Sequence, residues 1–571
     1  MRLQTRIISS LTKVFPDKIN GSKISKASVM RNEPFSFQVA FKNQETEKCV
    51  VPVFVRVETD LDISLISEYL VGYVPVTNAY FKDANRYFER KTPGLYPDML
   101  FARKTNAEVD NDGPVWFPRW TEQEQDILID SVVDSYQSLW FTVNENGKRI
   151  KPGEYSIKVL FYRADSKKCV ATEKLTLNVI NTSLPEQTLF YTNWFHCDCL
   201  ADTYGVEVFS DRFFEIMRSF LTEASKHGMN MILLPAFTPP LDTTIGKERK
   251  TVQLVKVEYK DGKYIFDFSL MKKYIDLCRK CGIDYFEHSH LFTQWGAKNA
   301  PKIMATVNGE YKRIFGWETD STSEEYALFL KSYITALKVF LKKIRLEKNI
   351  MFHISDEPSI DCISFYENAQ RIVGDEIKEY MCGDAISHFE YYKNGFIKKP
   401  IVIVNSEEID EFVAGCDDYW VYYTGNQLNE GCSNRIIPTT SARNRIIGLQ
   451  MYVGGANGIL HWGYDYYYGV LSHGLFNPCV NPCGYNHLAG TSYMVYPDTL
   501  GRAIPSLRMK VFYEGINDYR ALKKLEELIG RKATLLFIEK TVGKVSYKFC
   551  LSNKKLFEFR QKLNEEIMNN Q

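Results

Sequence analysis

The chain predicts two joined architectures, an all-β sandwich over residues 1–185 and a (β/α)8 TIM-type barrel over 186–505, with a helical segment over 506–571 packed on the barrel. Three observations predict this. Before residue 185 the apolar runs are short, alternating and cut by turn residues; after it strand-like and helix-like stretches take turns; and eight such strands can be counted before the tail turns purely helical.

The sandwich is carried by "FSFQVAFKN", "VVPVFVRVE", "SLWFTVNENG", "GEYSIKVLFYRAD" and "KLTLNVINTS". Runs this long, rich in Val, Phe, Tyr and Thr, suit antiparallel strands with one buried face. The barrel strands are "TLFYTNWFH", "MNMILLPAFT", "IDYFEHSHLF", "NIMFHISDEP", "EYMCGDAIS", "PIVIVNSE", "DYWVYYTG" and "GILHWGYDYY". Between the first two lies "DRFFEIMRSFLTEASKHG", where Phe213, Ile216, Met217, Phe220 and Leu221 recur at helical spacing and Gly228 ends the helix. "EEYALFLKSYITALKVFLKKI" carries a second stripe, from Tyr326 and Phe329 to Leu337 and Leu341. The tail, with "YEGINDYRALKKLEELIG" and "LFEFRQKLNEEIM", is helical.

Composition bounds the function. The 571 residues carry 71 Lys plus Arg against 70 Asp plus Glu, a net charge of +1 without like-charge blocks, which removes the footprint of a nucleic-acid or anionic-membrane partner. The start of the chain has no signal-peptide core, and no window is apolar enough to span a membrane. A cytoplasmic location is expected, with non-classical release as the other route. Thirteen cysteines without framework spacing suit reduced thiols, and Cys278-x-x-Cys281 falls in a helical pattern with no second pair.

The chemistry is expected at "IMFHISDEPS" (350–359), an apolar run that breaks off into Asp356, Glu357 and Pro358. Neighbouring side chains in a regular strand face opposite ways, so two adjacent acids share a pocket only where the chain leaves the sheet. Pro358 supplies that exit. Other strand ends offer Asn193, Trp194 and His196; His288 and His290; Trp420, Tyr422 and Tyr423; and His461, Trp462 and Tyr464. Flat apolar faces with polar tips around an acid pair suit a sugar. Ordinary glycosidases hold their two carboxyl groups about 5 to 9.5 Å apart across the sugar. Consecutive acids fit substrate-assisted hydrolysis better. In that scheme the 2-acetamido oxygen of the sugar is the nucleophile, Asp356 stabilises the oxazolinium and Glu357 is acid and base.

The sequence also resembles glycoside hydrolase family 123, the β-N-acetylgalactosaminidases, through "PGLYPDML", "KPGEYSIKVLFY", "GKERKTVQLVKV", "HLFTQWGAKNAPKIMA", "FGWETD", "FHISDEP", "DYWVYYTG", "SNR", "RNRIIGLQMY", "ILHWGYDYYY", "VYPD" and "SLRMKVFYEGINDYRAL". The resemblance implies exo-removal of terminal β-GalNAc from glycolipid or glycoprotein glycans, with retention, by Asp356 and Glu357. No cofactor is expected. The resemblance also implies pocket walls at Trp420, Tyr422, Tyr423, His461, Trp462 and Tyr464, and a seventh- or eighth-strand tyrosine on the acetamido oxygen. Asn193, His196 and His288 complete the expected substrate contacts. Glu248, Gln294, Trp295, Trp317, Glu318 and Arg508 lie in matching motifs. Two positions depart from the pattern, Thr491 where an acid is expected and Asp465 where an asparagine is. The rival readings are a non-catalytic glycan-binding protein and a metal-dependent hydrolase using His288 and His290 on one strand face. GalNAc against GlcNAc preference and oligomeric state are not legible.

Overall fold

A computed structural model describes residues 3–44, 49–80, 86–102, 120–123, 126–428 and 431–571. The N-terminal part is a sandwich of two sheets. One has five strands in the order Leu3–Ser9, Phe35–Asn43, Tyr136–Val143, Ile66–Val76, Gly94–Ala102. The other has six, Lys26–Met30, Cys169–Ile180, Gly153–Arg163, Val50–Thr59, Asp126–Val132 and Trp120–Gln123. Alternate residues of these strands, among them Phe37, Val39, Phe41, Val53, Val55, Val159 and Leu177, fill the space between the sheets.

The second part is a closed parallel barrel of eight strands: β1 Phe190–Asn193, β2 Met231–Leu234, β3 Tyr285–His288, β4 Ile350–Phe352, β5 Met381–Ile386, β6 Lys399–Ile403, β7 Trp420–Tyr422 and β8 Gly458–His461. All eight fall on the stretches read as strands from the sequence, β6 starting one residue earlier, at Lys399. The helix Asp211–Lys226 starts at Ser210, whose hydroxyl accepts the Phe213 N–H, and ends before Gly228 at φ +84°. Its buried face holds Phe213, Ile216, Met217, Phe220 and Leu221. Glu324–Lys343 buries the whole stripe from Tyr326 to Leu341. Cys278 lies inside the helix Ser269–Lys280 and Cys281 caps it, as the helical spacing implied.

One feature escaped the sequence reading. The loops after β2 and β3 each contribute a strand pair, and Lys263–Asp267, Lys256–Lys260, Ile303–Val307 and Glu310–Phe315 join into a four-stranded sheet beside the barrel mouth. All four strands are short, and all but Ile303–Val307 are largely exposed and carry Lys beside Asp or Glu, so they show little hydrophobic pattern.

The C-terminal helices pack on the barrel and tie it to the sandwich. Arg508, at the start of the helix Leu507–Ile529, faces Asp98 of the sandwich at 3.0 Å, and Tyr496 donates to the same carboxylate at 2.5 Å. Arg508 also donates to the carbonyls of Gly490 and Tyr493. No helix among the described residues is long and apolar enough to cross a membrane.

Candidate active site

Each barrel strand is three to six residues long, so its inward and outward side chains can be sorted by alternation. At the N-terminal end, Phe190 of β1 stacks on Trp420 of β7 at 5.3 Å and meets Tyr285 of β3 edge-on at 5.0 Å. Trp420 is fully buried there, against Gly458 of β8, where a Cβ would strike its ring. It plugs the barrel floor. This corrects the expectation that Trp420 walls the pocket.

At the opposite end, β4 stops at Phe352 and the chain runs through His353, Ile354 and Ser355 to the acid pair. Glu357 has φ +44°, a left-handed conformation that a non-glycine residue adopts only at a cost of about 1–3 kcal/mol. That turn breaks strand alternation, and with it Asp356 and Glu357 become electrostatic neighbours. Tight contacts hold the turn in place. The Trp295 N–H donates to the Asp356 carbonyl at 2.7 Å, and the Ala297 N–H to the Ser355 hydroxyl at 3.1 Å.

Tyr422, the last residue of β7, points into the barrel and donates its hydroxyl to Glu357 Oε1 at 2.7 Å. Burial raises the Glu357 carboxyl, with the Tyr422 hydrogen bond acting against it. Burial first, and then the charge of Glu357, raise Asp356, while His353 pulls it down. Two neighbouring acids pushed up together titrate as a pair, the charge of one disfavouring ionisation of the other.

Beneath the pair lies a layer that sequence reasoning missed. Glu287 of β3, Asp384 of β5 and His353 are all buried, with His353 Nε2 2.9 Å from Glu287 and Nδ1 3.2 Å from Asp384. Glu287 also accepts the hydroxyl of Thr192 and, at 3.0 Å, the indole N–H of Trp194. Asp384 accepts Tyr366 at 2.5 Å and the backbone N–H of Ile354 at 3.0 Å. A signal existed for Glu287, which stands next to outward-facing residues in "YFEHSH", and for His353, three residues before Asp356.

Among the other expected residues, alternation divides them. Trp462 stands at the mouth, half-buried, with its indole N–H on the Thr424 carbonyl at 3.0 Å. His288 faces outward; its Nε2 meets the Tyr333 hydroxyl at 2.7 Å and its Nδ1 the Ser289 carbonyl at 2.6 Å. Burial lowers it to about 4. It belongs to the layer between barrel and helix, which corrects the expected substrate contact. Tyr464 donates to the Phe220 carbonyl at 2.8 Å and packs on Phe195, so it too lies outside the lumen. Asn193, Tyr423 and His461 share that outer side: Tyr423 meets the His461 ring edge-on at 5.1 Å, and Asn193 pairs with His461 across the ladder. The outward positions of Tyr423, Tyr464, Asn193 and His461 correct the reading that they line the pocket.

His196 is buried by its neighbours rather than presented to a ligand. Its Nδ1 accepts from Arg249 at 3.1 Å, so Nε2 carries the hydrogen and donates to the Trp462 carbonyl at 2.7 Å. Burial, with Arg249 adding to it, lowers its pKa to about 3. Arg249 in turn grips Asp198 through two nitrogens, at 2.7 and 2.8 Å. Among the residues in matching motifs, Gln294 pins the loop after β2 by accepting the Asp242 N–H at 2.8 Å. Glu248 pairs with Lys302 and Arg313, and the Trp317 indole donates to the Lys247 carbonyl. Asp242 faces the site, but its oxygens accept the Tyr466 hydroxyl at 2.5 Å and the Leu471 N–H at 3.3 Å.

The two departures are both buried. Thr491 donates to the Thr424 carbonyl at 3.3 Å, closing against Gly425. Asp465 accepts the His196 backbone N–H through Oδ1 at 2.7 Å, while its Oδ2 has no partner, and burial raises it well above the usual carboxylate range.

His288 and His290 do not face one way, so they form no joint metal site. The ligand atoms of His290, His353 and Asp384 lie within 4.8 Å of one another. Both ring nitrogens of His353 are already turned to carboxylates, which leaves no free lone pair there for a metal.

Comparison with known proteins gives a consistent picture. The family described as "Glycoside hydrolase 123, catalytic domain" matches residues 194–525. No curated protein matches the sequence significantly. A solved family 123 glycoside hydrolase from Clostridium perfringens, described in terms of glycolipid glycan hydrolysis, superposes with a TM-score of 0.71 at 15% identity, covering 100% of this chain and 98% of that one. A family 39 glycoside hydrolase from Bacteroides cellulosilyticus WH2 covers 89% of this chain and 82% of its own at a TM-score of 0.32 and 10% identity, too low to carry an argument.

Proposed function

The chain belongs to glycoside hydrolase family 123, and on that premise we propose that it is an exo-acting, retaining β-N-acetylgalactosaminidase working by substrate assistance. The reading is carried by one observation: Asp356 and Glu357 are consecutive on one loop, turned together by the left-handed Glu357. Asp242, which also acts electrostatically on Asp356, is engaged by Tyr466 and Leu471. Bonded in this way, Asp242 is a poor fit to the free partner acid that ordinary retaining and inverting enzymes place across the sugar.

In this mechanism the acetamido carbonyl oxygen attacks C1 of the sugar, forming the C1–O bond of an oxazolinium as the glycosidic C1–O bond breaks. Glu357 gives its proton to the leaving oxygen. Asp356 accepts the acetamido N–H and offsets the positive charge. Water then attacks C1 from the side the aglycone left, Glu357 takes its proton, and the ring opens to β-GalNAc. Mutual repulsion suits the division of labour, because one ionised carboxylate keeps the other protonated. Tyr422 is the tyrosine we assign to the acetamido oxygen, because its hydroxyl already reaches the acid pair. Trp462 supplies a flat wall at the mouth.

The test uses aryl β-GalNAc and β-GlcNAc substrates with wild type, Glu357→Gln and Asp356→Asn, and a thiazoline that mimics the oxazoline. GalNAc release with β-anomer formed first, lost in both variants and blocked by the thiazoline, is the expected result. Release of the α-anomer first, or turnover insensitive to Asp356→Asn, rejects substrate assistance. A folded wild type that turns over neither substrate nor a GalNAc-terminated glycan rejects the activity itself.

A further inference from the structure

The buried layer under the acid pair holds a histidine whose protonation state its neighbours dictate. His353 Nε2 faces Glu287 Oε2, and that oxygen also accepts the Trp194 indole N–H. His353 Nδ1 faces Asp384 Oδ1, and that oxygen also accepts the Ile354 backbone N–H. Each of these oxygens already takes one N–H, so its remaining contact is with the ring alone. A ring with hydrogen on both nitrogens donates to both carboxylates at once, and this is the arrangement in which all four contacts are charge-assisted or donor-to-acceptor.

We propose that His353 is a permanently charged imidazolium, and that it acts as a positioning residue that keeps Asp356 ionised beside a protonated Glu357. The proposal rests on the reading of the pair as the catalytic acids. The charged groups facing the ring are Glu287 from β3 and Asp384 from β5, with Asp356 on the ring's own loop. The loop after β3 adds the neutral His290, stacked on His353 with centroids 4.6 Å apart. His353 is the one cation in that set. Without it Glu287 and Asp384 would stand as two uncompensated carboxylates in the buried layer, with Asp356 next to them. The two hydrogen-bonded carboxylates also raise the His353 pKa to about 10 against the effect of burial.

The layer has a mechanical side as well. Asp384 binds the Ile354 N–H at 3.0 Å through the same oxygen that meets His353. The cation thereby fixes both the orientation of Asp384 and the backbone leading into the acid pair. Oδ2 of Asp384 takes the Tyr366 hydroxyl at 2.5 Å, so the far side of the carboxylate is pinned too.

The experiment reads the charge and the function separately. In full-length protein with 15N-labelled histidine, the nitrogen spectrum at pH 8.5 should show one residue with both ring nitrogens protonated, and that signal should vanish in His353→Gln. No such signal in folded wild type, or one that survives His353→Gln, overturns the charge assignment and returns the His290, His353 and Asp384 cluster to a metal reading. The acid limb of kcat/KM on an aryl β-GalNAc should move up by about one pH unit or more in His353→Gln, since a lost cation raises a nearby carboxylate by that order. A variant that is only slower, with its limb unmoved, overturns the positioning role. Should His353→Gln fail to fold, Glu287→Gln serves: it keeps the shape, removes one partner charge, and should bring the His353 titration down into the pH 6–9 range. A His353 that still titrates with the wild-type midpoint in that variant overturns the proposal. If no hexosaminide is turned over, the positioning role falls with the activity, and the nitrogen spectrum still decides the charge.

Discussion

The Tyr422 hydroxyl lies 2.7 Å from Glu357 Oε1, so the end of the seventh barrel strand is joined directly to the acid that follows the fourth. The two strands stand on different sides of the barrel, with β5 and β6 between them. The bond therefore spans the mouth, and the proton it donates favours the charged form of Glu357.

Tyr422→Phe should cut kcat/KM by about 10²–10³-fold, the usual cost of removing one preorganised donor. The sign of the pH effect follows from the bond. In the proposed mechanism Glu357 acts in its protonated form, so activity is lost as pH rises through its pKa. Removing a donor to its carboxylate raises that pKa, so the basic limb of the profile should move to higher pH. A limb that stays still while the rate falls would place Tyr422 on the substrate alone.

Much of this arrangement was legible in the sequence and part of it was not. All eight barrel strands and the position of the acid pair were readable, because parallel strands buried on both faces leave continuous apolar runs and Pro358 marks an exit. Which side of a strand a residue faces was not. The aromatic residues at strand ends were grouped by position, although one step separates Tyr422 in the lumen from Tyr423 outside it, and Glu287 inside from His288 outside. The period-two rule applied to the acids assigns these residues as well, once the register of a single inward residue is known. The buried layer of Glu287, His353 and Asp384 joins residues from three separate strands or strand ends, and only closure of the barrel brings them together.

Asp465→Asn should leave activity largely intact and raise stability at neutral and alkaline pH. Asp465 is buried, its Oδ2 has no partner, and its pKa is raised well above that of the unfolded chain. An acid held protonated in the fold but ionised when unfolded contributes stability that is lost as pH rises above its unfolded value of about 3.9, at about 1.4 kcal/mol per pH unit up to the folded pKa. Asparagine has no proton to lose. The thermal midpoint of the variant should therefore match wild type near pH 4 and exceed it increasingly toward pH 8. A constant difference across that range would show that the carboxyl is ionised in the fold.

His288→Leu tests the reassignment of His288 from substrate to scaffold. Its two ring nitrogens are committed to Tyr333 and Ser289, and its pKa is about 4 in the fold. The variant should keep KM within about twofold while losing about 1–3 kcal/mol, because the Tyr333 hydroxyl is left buried without its partner. Wild type also carries an acid penalty from this group: a histidine depressed from about 6.5 contributes stability present above that value and lost as pH falls through about 4. Leucine removes that term. The gap between the two midpoints should thus narrow between pH 6.5 and pH 4, and a raised KM with an unchanged gap would return His288 to the pocket.

Gly425 and Thr491 make the sharpest steric case at the mouth. Gly425 follows β7 at φ +98°, and a Cβ built on it would lie 1.5 Å from Thr491 Oγ1. Gly425→Ala must therefore push apart the two loops that meet at the Thr424 carbonyl, which also accepts the Trp462 indole N–H at 3.0 Å. We expect a fall in thermal midpoint together with a raised KM, since the wall at Trp462 moves with its hydrogen bond. Thr491→Ala alone removes only one bond to that carbonyl and should be mild. The double variant should recover part of the loss by relieving the clash, yet stay below wild type because alanine at φ +98° remains strained. Strict additivity of the two changes, measured as midpoint and KM in the four proteins of the cycle, would show that the loops do not press on one another.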